Sequence, residues 1–236
     1  MPKILLNYFF FMLSMSVFAQ NEYSLKALTG SGDLELVGDT FKMQKETFNA
    51  FNKMKAAALK EGILIKEVSA YRSFKHQKSI WNRKYDSYIS QGLTPNSAIK
   101  KIVEYSTLPG TSRHHWGTDI DIRDGYVKTP KHVLMESNYS ENGIYGKLKN
   151  WMDANSEKFG FYLVYTNNKN RKGFKYEPWH YSYKPLSKNM LMEFQKIDLK
   201  AFYSSIKLKG SNFITTDFLQ KYYKENVLDI NPSLEY

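Results

Sequence analysis

Three of the five histidines in this chain stand beside carboxylates in two short segments. The first is Ser112-Arg113-His114-His115-Trp116-Gly117-Thr118-Asp119-Ile120-Asp121 and the second is Glu177-Pro178-Trp179-His180. Imidazole and carboxylate are zinc ligands, and a hydrolytic zinc site takes three of them and leaves a fourth position for water. The metal lowers the pKa of that water from ~15.7 to about 7. A carboxylate outside the coordination sphere then accepts the proton as the water attacks. Two His, one Asp and one Glu from these segments would supply the whole set. The remaining imidazoles, His76 on a lysine-flanked helix and His132 in a loop, read as solvated surface. The chain has no cysteine. That excludes a thiolate-held zinc, an iron–sulfur cluster, a disulfide scaffold and a thiol nucleophile.

The elements that must position these residues follow from apolar spacing and from Gly and Pro. Residues 41–60 read as a helix, with Asp39 or Thr40 as cap, Phe41, Phe48, Phe51 and Ala58 as its stripe, and Gly62 beyond its end. Residues 63–69 form a short strand. Residues 76–89 are helical, with Ile80, Trp81, Tyr85 and Tyr88 inward. Thr94-Pro95 opens a helix to about Tyr105, because Thr caps and Pro suits the first turn. Residues 118–123 alternate as a strand, which puts Asp119 and Asp121 on one face and Ile120 and Ile122 on the other. Two such carboxylates repel unless a cation lies between them. A helix over 143–159, a strand over 161–165, a polar turn at 167–173 and an extended aromatic run over 174–183 complete the central region. Glu177 and His180 converge on a helix or at a bent strand end, and Pro178 favours the bend. Helices and strands mix without a βαβ rhythm, so the expected class is α+β with an antiparallel sheet. Past Pro185 runs a basic tail, helical over 215–224, whose residues 228–234 dock back.

The first segment fits the pattern S-x-H-x-x-G-x-A-x-D and the second fits E-x-x-H with Trp before the His. Ser69-Ala70-Tyr71-Arg72-Ser73, with Gln77 five residues after Arg72, fits S-G-Y-R-S…Q. In order and spacing the three together resemble the VanY-like zinc D-alanyl-D-alanine carboxypeptidases of the LAS group of peptidoglycan peptidases, over roughly residues 45–185. The resemblance implies a small antiparallel sheet flanked by helices, with the zinc site at the sheet, as in hedgehog and DD-peptidase folds. It implies that His114, Asp121 and His180 bind one Zn²⁺ and that Glu177 is the general base. Arg72, Gln77 and Ser112 would meet the substrate, with Arg72 also suited to the developing oxyanion. Trp116 and Trp179 would wall the site. Two positions depart from the pattern: Asp119 stands at the Ala position and Ala70 at the first Gly. Asp119 would replace Asp121 or orient a ligand His from behind, and His115 would compete with His114 or stand, like Trp179, behind the ligands. Arg72 also makes independent sense, because its planar, permanently charged fork suits a free C-terminal carboxylate.

A length of 236 residues and a formal charge of +11 bound the rest. The apolar run from Ile4 to Phe18, ending in Val17-Phe18-Ala19, reads as a secretory signal cleaved after Ala19, with no membrane anchor left behind. The expected organisation is therefore a signal over 1–19, a catalytic domain over 20–185, and a C-terminal extension over 186–236 packed on it. Export to the periplasm or cell envelope makes anionic wall material, not nucleic acid, the counterpart of the positive charge. The expected reaction is removal of C-terminal D-Ala from peptidoglycan stem peptides. An LD-carboxypeptidase or an endopeptidase would use the same metal chemistry. A non-catalytic wall-binding module is disfavoured, since a structural metal site is closed and needs no general base.

Overall fold

The computed structural model describes residues 23–235. The expected signal segment lies outside them. Among the described residues no helix is long and apolar enough to cross a membrane.

The chain begins with a one-turn helix α1 (Leu25–Thr29), capped by the Ser24 hydroxyl on the Ala27 amide, and a minimal hairpin of β1 (Leu36–Val37) and β2 (Met43–Gln44). Then come helix α2 (Lys45–Lys60), strand β3 (Ile65–Ser69), and helices α3 (Phe74–Ser90) and α4 (Pro95–Ile102). Strand β4 (Asp119–Asp124), helix α5 (Gly146–Asn155), and strands β5 (Phe161–Leu163) and β6 (His180–Tyr183) follow. Helices α6 (Lys184–Phe194), α7 (Leu199–Ser204) and α8 (Thr216–Tyr222) end the chain. The class is α+β, with a four-stranded, wholly antiparallel sheet ordered β3-β4-β6-β5.

Alternation divides this sheet into two chemical faces. Ile120, Ile122, Tyr181 and Tyr183 point to one side, where they join Phe51, Met54 and Ala58 of α2 and Leu148, Trp151 and Met152 of α5 in a buried cluster. Burying side chains of this size contributes about 1.5–3 kcal/mol each. Asp119, Asp121, His180 and Ser182 occupy the intervening positions, and all four are buried. On that side lies a second cluster, built from Trp81, Trp116, Tyr165, Phe174, Met190, Leu191 and Phe194 together with Leu199, Leu208, Leu219, Tyr222, Ile230 and Leu234. The polar residues are thus enclosed between the sheet and this second cluster.

Several boundaries differ from the expectation. The first long helix starts at Lys45 instead of residue 41, because Val37 pairs with Met43 and the Gln44 amide bonds to Gly117 O at 3.0 Å. Those bonds draw residues 43–44 into extended backbone, where neither Asp39 nor Thr40 can cap. The run over 174–183 is a strand only from His180 onward; before it, the His180 amide closes a turn on Glu177 O at 3.1 Å. The region past Pro185 is more helical than expected: α6 begins at Lys184, and Pro185 occupies its first turn, where a missing N–H costs nothing.

Candidate metal centre

Pairing of β4 with β6 sets Asp121 opposite His180 and Asp119 opposite Ser182. A one-turn 3-10 helix over Arg113–Trp116 brings His114 alongside, and Gly117 closes that turn at φ +66°, a left-handed conformation that suits glycine. The rings of His114 and His180 stack with centroids 4.6 Å apart. One ligand atom each from His114, Asp121 and His180 lies within 4.8 Å of the others, and all three residues are buried.

The far nitrogen of each ring is already engaged. His114 Nδ1 lies 2.8 Å from Ala70 O, and its Nε2 is 3.3 Å from Asp121 Oδ2. His180 Nε2 is 2.9 Å from Asp119 Oδ2, and its Nδ1 is 3.0 Å from Glu177 Oε2 and 3.9 Å from Asp121 Oδ1. Donation to Ala70 O and to Asp119 leaves His114 Nε2 and His180 Nδ1 as the nitrogens that face Asp121. Among the described residues, Asp121 Oδ1 is buried without a hydrogen-bond partner. An orphaned carboxylate oxygen between two oriented imidazoles is the donor set a divalent cation satisfies.

Charge is balanced behind the triad. Arg113 Nε donates to Asp119 Oδ2 at 3.0 Å, and its Nη2 donates to Ser182 Oγ at 2.7 Å. Ser182 and Thr118 hydroxyls donate to Asp119 Oδ1 at 2.6 and 2.9 Å. Burial alone would raise the Asp119 pKa, but Arg113 and the hydrogen bond from His180 hold it well below the usual carboxylate range. Burial opposes charge on His180 as well, yet bonds to Asp119 and Glu177 raise its pKa to about 10. A cation at Nδ1 would take the place of that ring's second proton. Asp121 is held low by His114 against the raising effect of burial.

The expected site residues sort by these contacts. His115 is buried, with Nδ1 2.5 Å from Arg72 O while Nε2 accepts from the Gly110 amide at 3.0 Å. Both nitrogens are used, and burial pushes its pKa down to about 3, so it is a neutral strut and no ligand. Asp119 is likewise directed at Arg113 and His180 and not at the centre of the triad. Arg72 Nη1 donates to Gln77 Oε1 at 3.0 Å and Nη2 to Ser69 Oγ at 3.1 Å. Gln77 was expected to touch substrate. It is wholly buried, with Nε2 donating to Thr107 O at 2.8 Å and Oε1 holding Arg72. Ser112 is buried and, with Arg72, His114, Glu177 and His180, lines a narrow cleft of about 30 Å³. Trp179 packs at a tilt against Tyr139, 5.6 Å between centroids, whereas Trp116 is core against Phe194. Arg113, Ser182, Tyr165 and Phe174 were not expected at the site. The repulsion between Asp119 and Asp121 was the one sequence signal that a cation such as Arg113 must lie near.

A family model described as VanY, D-alanyl-D-alanine carboxypeptidase, matches residues 40–186. A D-alanyl-D-alanine carboxypeptidase of Enterococcus faecalis (strain ATCC 700802 / V583) is 32% identical over 129 residues, 54% of this chain and 42% of the relative. YodJ of Bacillus subtilis (strain 168) is 29% identical over 168 residues, 70% of this chain and 55% of the relative. The chain thus spans about half the length of these two curated relatives. Among solved structures, VanYB in complex with D-alanine-D-alanine superposes with TM-score 0.54 at 24% identity, covering 75% of this chain and 91% of that one. A D,D-pentapeptidase VanY from a VanB-type resistance cassette, in complex with Zn(II), gives 0.53 at 24% identity over 72% of this chain and 89% of the other. The two superpositions establish a shared fold. With the family model spanning well over half of its residues, the chain belongs to the VanY D-alanyl-D-alanine carboxypeptidase family.

Proposed function

We propose that this chain is an exported zinc carboxypeptidase that releases the terminal D-Ala from peptidoglycan stem peptides. The observation that carries the reading is the buried triad His114, Asp121 and His180 with the Glu177 carboxylate at its edge, 3.0 Å from His180 Nδ1. A zinc ion held by those three residues would supply Lewis acidity toward the scissile carbonyl and the attacking water. Glu177 takes the proton from that water and returns it to the leaving amine. Arg72, braced by Gln77 and Ser69, presents its guanidinium to the C-terminal carboxylate of the peptide. That contact selects a chain end over an internal bond. The Zn(II) and D-alanine-D-alanine complexes of the two superposed proteins support the same assignment. Catalytic residues within 40–186, and export by way of the first 19 residues, complete the proposal.

The test is incubation of the zinc-loaded chain with defined pentapeptide and tetrapeptide stems, followed by mass analysis. Loss of one D-Ala from the pentapeptide, abolished by chelation and restored by Zn²⁺, is the expected result. Trimming of the tetrapeptide alone would move the assignment to LD-cleavage. No cleavage of either stem would refute it.

A further inference from the structure

The C-terminal extension begins where the family match ends, at residue 186. Its tyrosines reach the segment that leads into the first metal-site motif. The Leu108 amide donates to the Tyr222 hydroxyl at 3.0 Å. Thr111 Oγ1 donates to Leu108 O at 2.9 Å and lies 2.7 Å from the same hydroxyl, so Tyr222 must donate to Thr111. Tyr203 OH donates to Pro109 O at 2.7 Å. Phe202 closes over Gly110, where an added Cβ would fall 2.6 Å from the ring. The inner side of the same segment carries the site, through Thr107 O on Gln77, Gln77 on Arg72, and Gly110 N on His115.

A second wall is held in the same manner. Asp229 Oδ2 accepts the Lys172 and Gly173 amides at 2.7 and 3.0 Å. Extension backbone lies so close to Gly173 that a Cβ there would fall 1.8 Å from Glu225 O. The next residue, Phe174, lines the metal-site cleft; its ring packs 6.2 Å from Tyr222 and 5.1 Å from Tyr165, and Tyr165 packs 5.1 Å from His180.

We propose that residues 186–235 are a built-in part of the active site: Tyr222 and Asp229 are positioning residues that set Arg72 and His180 through the walls at 107–112 and 171–174. The proposal rests on the reading of Arg72 as the carboxylate anchor. Two paths of contacts run from the extension to the site, one by hydrogen bonds through Gln77 to Arg72 and one by ring packing of Phe174 and Tyr165 onto His180, each ending on a residue with an assigned role in the reaction. Neither path depends on the extension's basic charge.

The experiment compares Tyr222→Phe, Asp229→Ala and a control, Leu234→Ala, in the full-length chain. Leu234 is wholly buried in the extension and bonds to neither wall by its side chain. Site-resolved amide exchange is read at Arg72, whose amide donates to His114 O at 3.0 Å, and KM is read with a peptide ending in D-Ala-D-Ala. Tyr222→Phe and Asp229→Ala should each speed exchange at the Arg72 amide or its neighbours in 112–116. Tyr222→Phe should also raise KM about fivefold, the equivalent of one lost hydrogen bond, with kcat less affected. Leu234→Ala should lower Tm at least as far and leave both readouts near wild type. Equal exchange and equal KM in all three variants would overturn the proposal. Exchange reports the anchoring even in a chain that cleaves nothing. A wild type without peptidase activity but with the expected exchange pattern would therefore fail the reaction assigned above and uphold the anchoring.

Discussion

The Asp119 carboxylate lies 2.9 Å from His180 Nε2 and 3.0 Å from Arg113 Nε, which makes one buried acid the partner of both an imidazole and a guanidinium. Asp119 is wholly buried and Arg113 nearly so. Removing one member of such a pair leaves an uncompensated buried charge and costs about 3–5 kcal/mol. Asp119→Ala should therefore lower stability by that order and also free His180 to turn, with metal affinity falling about 10–100-fold. The double variant Asp119→Ala with Arg113→Leu should regain most of the stability but not the metal affinity. Denaturant titration and competition with a chromogenic chelator separate the two effects. Stability that stays lost in the double variant would contradict this account.

Glu177 lies outside the triad, with Oε2 3.0 Å from His180 Nδ1, the nitrogen that faces Asp121. Glu177→Gln keeps the shape of the side chain and removes its basicity. Turnover should fall by about 10²–10⁴-fold while the chain still retains one equivalent of zinc, measured by elemental analysis after gel filtration. Loss of the metal along with activity would make Glu177 a ligand instead of a base.

Arg72 donates through Nη1 and Nη2 to separate acceptors, Gln77 and Ser69, and so holds its plane fixed. Arg72→Lys keeps the charge and loses the fork. KM for a peptide with a free C-terminus should rise about tenfold or more, and the variant should lose its discrimination against the C-terminal amide of the same peptide. Steady-state kinetics on the acid and amide pair reads both.

Gly117 holds φ +66° between the first triad histidine and the β4 strand, and a Cβ there would meet Leu36 Cδ2 at 2.8 Å and Gln44 N at 3.2 Å. Gly117→Ala should cost about 1–2 kcal/mol from the left-handed backbone alone. Because the turn sets the angle between His114 and Asp121, metal affinity should fall with stability. Thermal unfolding with and without Zn²⁺ tests this: the metal-dependent gain in Tm should shrink in the variant.

Much of the site was legible in the residue order. The absence of cysteine confined metal chemistry to His and carboxylate, and two dense segments held nearly all the candidates. Alternation over Asp119–Asp121 is a local property of extended backbone, so the common face of the two acids was readable without the fold. The helix start at Thr94 was equally local, because a capping hydroxyl acts on an amide three residues on, whereas the Ser73 cap of α3, three residues before the expected start at 76, went unread.

Which acid lies between the imidazoles of His114 and His180, and which nitrogen each ring turns toward it, was decided only by tertiary contacts. Arg113 and Ser182 claim Asp119, Ala70 O claims His114 Nδ1, and Gly110 with Arg72 O claims both nitrogens of His115. Those partners lie up to 63 positions away in the chain, and periodicity says nothing of pairings at that range. The start of α2 moved for the same reason, since the bond from Gln44 to Gly117 outweighed a local helical pattern. Sequence determined the chemical inventory and its local geometry. The choice among chemically equivalent atoms required the fold, because a buried polar atom is committed by whichever distant partner desolvates with it.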